Sequence, residues 1–151
     1  MSKDNKAAWG RYHDITYLYL AMASASGPVS ESESRMLLLC MREWKPDMTR
    51  AKFAPLYKDV VRRMLKVDSG IKLIRTVEAR SAVLAETIGG NRKRAMMMLE
   101  HLRKIAEIDG PMTAREQLLL QAAITHLGLG KRVRLEMAHG YATLKLSLIH
   151  I

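Results

Sequence analysis

The chain has 151 residues, a net charge of +10, 48% hydrophobic residues and only 5% aromatic ones, enough for one domain that buries roughly two-thirds of the surface its unfolded form would expose. Its single cysteine, Cys40, excludes an intrachain disulfide and a multi-cysteine zinc site. Its apolar runs, Met36 to Met41 among them, are far short of the roughly twenty residues that cross a bilayer. No apolar signal-peptide core comes after Met1-Ser2-Lys3-Asp4, so the protein is expected in the cytoplasm.

Eleven methionines stand beside many Leu and Ala, residues that lose little freedom in a helix, and this balance favours helices over sheets. The positive charge is local. Residues 1–49 carry six Lys or Arg and six Asp or Glu, residues 50–104 carry fourteen and five, and residues 105–151 carry five and four. A single basic face is expected from the middle third, built from Arg62, Arg63, Lys66, Lys72, Arg75, Arg80, Arg92, Lys93 and Arg94.

In chain order, the first element runs from Tyr12 to Ala25 with Ile15, Leu18, Tyr19, Met22, Ala23 and Ala25 on one helical stripe. Gly27-Pro28 stops it, since glycine tolerates the left-handed backbone of a helix end and proline cannot continue one. Ser30 and Glu33 then form a capping box, in which the serine accepts from the glutamate's amide and the glutamate reaches back to the serine's. The second helix carries Met36, Leu37, Cys40, Met41 and Trp44, and Lys45-Pro46-Asp47 closes it. Cys40, among Leu37, Leu38 and Met41, reads as a buried, inert thiol.

A third helix restarts near Thr49 or Pro55 and continues through Leu56, Val60, Val61, Met64 and Leu65 until Asp68-Ser69-Gly70 breaks it. The fourth places Ile71, Ile74, Val77, Leu84 and Ile88 on one face and ends at Gly89-Gly90, with Asn91 as the cap of the next helix. The fifth, Arg94 to Ile108, presents Met97, Met98, Leu102, Ile105 and Ile108. After the turn at Gly110 and its helix, a seventh is expected at roughly Lys131 to Tyr141.

The turn after the fifth helix repeats the first at a constant offset of 83 residues. Gly110 pairs with Gly27, Pro111 with Pro28, Met112 with Val29, Thr113 with Ser30 and Glu116 with Glu33. The same offset pairs Ile105 with Met22, Ala106 with Ala23, Leu120 with Leu37 and Leu127 with Trp44. Agreement in both turn chemistry and helical phase marks an internal duplication. The expected fold is all-α, with about seven helices, in which two pseudo-symmetric helical hairpins pack around a central basic helix pair.

A helix ending in small residues, then Asp-Gly, an apolar residue, Ser or Thr and a Glu three residues later, duplicated across about seven helices, resembles the TerB-like domain. The likeness covers most of residues 12–141 and is clearest over Ile105-Ala106-Glu107-Ile108-Asp109-Gly110 and Glu116-Gln117-Leu118-Leu119. It implies a bacterial stress-response module of the kind found in tellurite-resistance proteins and at the front of DjlA-type co-chaperones. The resemblance also implies metal-binding acidic loops, of which Asp109 and Glu116 remain here as weak candidates, because Ser26 stands where the second copy has Asp109.

The residues themselves favour capping as the role of Glu33 and Glu116, and no cofactor is expected. The histidines His13, His101, His126, His139 and His150 include no His-Glu-x-x-His pair, and the serines near residue 30 lack a nucleophile elbow, so no enzyme is expected. Arg92-Lys93-Arg94 and the other basic residues suit an acidic protein partner or the inner membrane face. Nucleic acid is the alternative partner for the same charges, set against a face that merely keeps the domain soluble, and Met96-Met97-Met98 reads as packing.

Leu146 to Ile151 match one reading frame of a transposase adapter used in sequencing libraries. They are expected to be foreign to the domain, which is taken as 1–145. The natural frame is then expected to run on past Lys145, into a J-domain or another module if the chain is a truncated DjlA-like co-chaperone.

Overall fold

A helix that is apolar or small on nearly every side has to be surrounded, and Arg11–Ser24, α1, meets that condition: every residue from His13 to Ala23 is buried. The single stripe expected there is a full circumference. In the computed structural model, which describes residues 9–25, 27–65, 70–88, 91–127, 133–138 and 141–146, five further helices succeed it: α2 Glu31–Trp44, α3 Arg50–Met64, α4 Gly70–Ile88, α5 Arg92–Glu107 and α6 Ala114–His126. All five pack against α1.

The centre of the fold is therefore α1 and not the basic pair α3 and α4. Those two lean on α1 far more than on each other, and α4 also packs on α6. The reason is composition. Half of α3 is charged or polar and only Phe53 and Val60 of it are buried, so it can cover a core but cannot form one. The two hairpins, α1 with α2 and α5 with α6, do pack together through α1, α2, α5 and α6.

The helix starts obey local chemistry. Thr49 accepts from the Lys52 amide at 3.1 Å and caps α3 at the earlier of the two expected starts. Pro55 then sits inside α3, where its missing N–H leaves the Ala51 carbonyl unpaired. Both residues lie on the exposed face, so water can serve that carbonyl. Asn91 accepts from the Arg94 amide at 3.1 Å, which starts α5 two residues earlier than its apolar pattern.

The duplication holds in detail. Gly27 and Gly110 have φ of +144° and +141°. Ser30 and Thr113 cap with matching extended backbones, accepting from Glu33 N and Glu116 N at 3.0 and 3.2 Å, while the glutamates accept back at 2.8 and 2.7 Å. The paired apolar positions Met22 and Ile105, Ala23 and Ala106, and Leu37 and Leu120 are all buried.

The two turns also touch. Ser30 Oγ donates to Asp109 Oδ2 at 2.6 Å, and Arg115 donates to the Ala25 carbonyl at 3.4 Å.

The expected seventh helix, Lys131 to Tyr141, gives way to an antiparallel pair, β1 Val133–Ala138 and β2 Tyr141–Leu146, in register Val133 to Leu146 and Ala138 to Tyr141. Val133-Arg134-Leu135-Glu136-Met137 alternates strictly, a period of two that belongs to a strand. The helical class thus describes the chain to Leu127, and the strands pack on its far end against α6 and α5. Leu146, set aside with the tail, occupies the last rung.

A Cβ at Gly27 or Gly110 would meet nothing within 4 Å, so a substitution there acts through backbone strain alone. Gly110→Ala is expected to lower stability by about 1–2 kcal/mol, measured as a shift of the urea midpoint at constant slope. An unchanged midpoint would show that the positive φ is not required.

Candidate functional site

Because α1 is enclosed, its polar side chains must find partners on other helices. Asp14, 6% exposed, accepts through Oδ1 from Trp9 Nε1 at 2.7 Å and from Arg80 at 3.1 Å. The Trp9 ring lies 4.7 Å from that of His13, with the Arg63 guanidinium 4.4 Å and the Arg80 guanidinium 5.9 Å from its centre. Arg63 and Arg80, expected as parts of a binding face, are thus engaged in holding α3 and α4 to α1 through cation–π and ionic contacts.

His13 Nδ1 accepts from the Gly10 amide at 3.2 Å, which leaves the proton on Nε2, 3.3 Å from Asp59 Oδ2. Asp59 is also 3.5 Å from Arg62. The burial of Tyr17 raises its pKa against a Thr76 hydrogen bond and the charges of Arg80 and Arg63.

A second chain of hydrogen bonds crosses the core. Trp44 Nε1 donates to the Tyr19 hydroxyl at 2.9 Å, leaving that hydroxyl to donate to His101 Nδ1 at 2.7 Å. His101 Nε2 then stands 3.1 Å from Glu43 Oε1, off the line that a good hydrogen bond needs. Burial holds the His101 pKa below its ordinary value, although Glu43 pulls it upward. The neutral tautomer with its proton on Nε2 fits every contact, and burial also pushes the Tyr19 hydroxyl well up. His13, His101 and His126 looked scattered in the sequence because each has its nearest carboxylate, Asp59, Glu43 and Glu78, on a different helix.

Cys40 is buried and its thiol is pushed up to about 12, first by burial and then by Glu43, so at neutral pH almost none of it is the reactive thiolate. Glu116 is buried too. Burial raises its pKa, the Thr113 cap opposes this, and the Glu33 and Asp109 charges add to the rise. Asp109 is exposed and accepts from Ser30. Among the described residues no group of three His, Cys, Asp or Glu side chains is placed to hold a metal, and the oxygens of Asp109 and Glu116 already serve the turns.

Of the remaining basic residues, Arg75, Arg92, Lys93 and Arg94 are exposed and make no ion pair among the described residues. Lys66 and the Lys72 side chain lie outside the described residues, as does Ser26. The expected basic face thus divides into Arg63 and Arg80, which hold helices together, the exposed Arg62, paired with Asp59 on its own helix, and an unengaged set centred on α5.

A groove that no periodicity marked opens between α2 and α3, with a volume of about 730 Å³. Its floor is Leu38, Leu39, Phe53 and Tyr57, and the guanidinium and ammonium groups of Arg35, Arg42, Arg50 and Lys58 rim it against the single carboxylate of Glu31. Leu39 is 54% exposed. The clue available in the sequence was the continuous apolar run at Met36 to Met41, too wide for one buried stripe.

A scan of family models, a search of curated proteins and a search of solved structures each returned no match to this chain. No helix among the described residues is long and apolar enough to cross a membrane.

A histidine whose folded pKa is depressed contributes stability fully present above its unfolded pKa, near 6.5, and lost as pH falls from there toward the folded value. The melting temperature is therefore expected to fall between about pH 7.5 and 5.5. In His101→Gln that fall should be smaller, and an identical fall in the variant would contradict the assignment. A thiol reagent should modify Cys40 in the native protein only as fast as the protein opens, and in denaturant at once.

Proposed function

We propose that the chain is a non-enzymatic TerB-like module of bacterial stress response, of the tellurite-resistance type. It acts in the cytoplasm, close to the inner membrane face, by docking to an acidic protein partner. The observation that carries this reading is the triplet Arg92, Lys93 and Arg94 on the first turn of α5. All three are exposed, and no acidic residue shares that turn.

A helix N-terminus already bears partial positive charge, so three cations there oppose the fold locally. An anionic partner would relieve that repulsion on binding, and this is the physical reason to read the triplet as a surface kept for a partner. The neighbouring Asn91 cap and the buried Ala95 and Met98 fix its direction.

A basic nucleic-acid-binding domain would use the same charges. No aromatic residue stands between Tyr57 and Tyr141, so the triplet has no stacking side chain beside it in sequence, and phosphate contact alone would have to supply affinity. Enzymatic use of the buried groups is disfavoured on chemical grounds: Cys40 is held as a thiol, and His101 is enclosed between Tyr19 and Glu43.

The triple variant Arg92→Ala, Lys93→Ala, Arg94→Ala is expected to elute from a polyanion column at lower salt than the wild type. It should also bind poly-glutamate at least tenfold more weakly. Duplex binding should be weak, with a shallow dependence on salt. Tight duplex binding with a steep salt slope that the triple variant abolishes would overturn the protein-docking reading in favour of nucleic acid.

A further inference from the structure

The α2–α3 groove is separate from the Arg92 triplet and is not explained by it. α2 and α3 each lean on α1 and scarcely on each other, and the groove opens between them. The α2 wall extends from Glu31 to Arg42, about 16 Å at 1.5 Å per residue, or three helical turns.

From this geometry we infer that the groove receives an amphipathic helix of about three turns from an acidic partner protein, its apolar face on Leu38, Leu39, Phe53 and Tyr57 and its carboxylates against the cationic rim. The inference rests on the reading of the chain as a protein-docking module, but not on the triplet.

Three observations select that occupant. Both walls are helices, and apart from the Ala51 carbonyl opposite Pro55 their interior backbone groups pair within the helix. An extended peptide would therefore find no strand edge to pair with, whereas a helix brings its own hydrogen bonds. The floor is apolar, with Leu38 and Leu39 on one wall and Phe53 and Tyr57, one turn apart, on the other, which suits anchors at i and i+3 or i+4. The rim carries four cations to one carboxylate, and Arg50 and Lys58 make no ion pair among the described residues.

Arg42 is already steadied by donating to the Met48 carbonyl at 3.0 Å, and Arg35 by Glu31 at 3.2 Å. An acidic helix would therefore meet two positioned guanidiniums and two unengaged cations. Burying the exposed Leu39 supplies affinity, while the charges choose the partner and speed its approach.

The test is selection of a displayed library of helical peptides about 14 residues long on the intact protein. Enriched sequences are expected to combine apolar anchors at i and i+3 or i+4 with flanking Asp or Glu. Leu39→Asp, and separately Arg50→Glu with Lys58→Glu, should weaken their binding at least tenfold. All three residues are exposed, and an unchanged thermal melt confirms that each variant folds. Peptides whose binding survives these changes but falls in the Arg92, Lys93, Arg94 variant would overturn the groove and keep the docking reading. Enrichment of basic peptides, or no enrichment alongside Leu39-dependent binding to vesicles of phosphatidylcholine and phosphatidylglycerol, would overturn the acidic-helix assignment. Failure of peptide binding at both surfaces would remove the docking reading as well.

Discussion

A helix enclosed on every side cannot leave a polar group to water, and the arrangement of this protein stems from that constraint on α1. Four buried polar side chains of the helix take partners from its neighbours: Asp14 from α4, His13 from α3, Tyr19 from α2 and α5, and Thr16 from α2, through a 3.6 Å contact with Met41 sulfur. Each such bond adds only about 1 kcal/mol net, yet leaving a buried group unmatched costs about 1–3 kcal/mol. Apolar packing draws the helices together, and the polar pairs decide which helix lies where.

The duplicated turns add a second constraint at one end of the molecule. Two glycines with positive φ release the chain into two capping boxes, and the contact of Ser30 with Asp109 locks one turn to the other. Carboxylates that a metal would need are spent on backbone amides and on a neighbouring hydroxyl. The duplication specifies architecture, and the surfaces proposed for partners lie elsewhere, on the first turn of α5 and between α2 and α3.

Local signals were readable in the sequence because local energies produce them. Ser30, Thr49, Asn91 and Thr113 cap helices wherever the chain folds, and Gly27 and Gly110 are needed at their turns for reasons internal to each turn. The full enclosure of α1 was hidden by His13, Asp14 and Thr16, which look solvated until their partners are known. Arg63 and Arg80 looked like free surface charge for the same reason. The hairpin at the end was legible in the alternation from Val133 to Met137, but helical expectation carried past it. The groove left only the wide apolar run Met36 to Met41 as a trace in the sequence, since it arises from two helices that both choose α1 over each other.

The central claim is that α1 is the element on which the others depend, and residue-resolved native-state hydrogen exchange tests it most directly. The amides of Ile15 to Ala23 should be the slowest in the protein and should exchange only through global unfolding, with the denaturant dependence of the whole molecule. If α1 amides exchange through a smaller opening while those of α2 or α5 remain protected, the fold is held from elsewhere and the account is wrong.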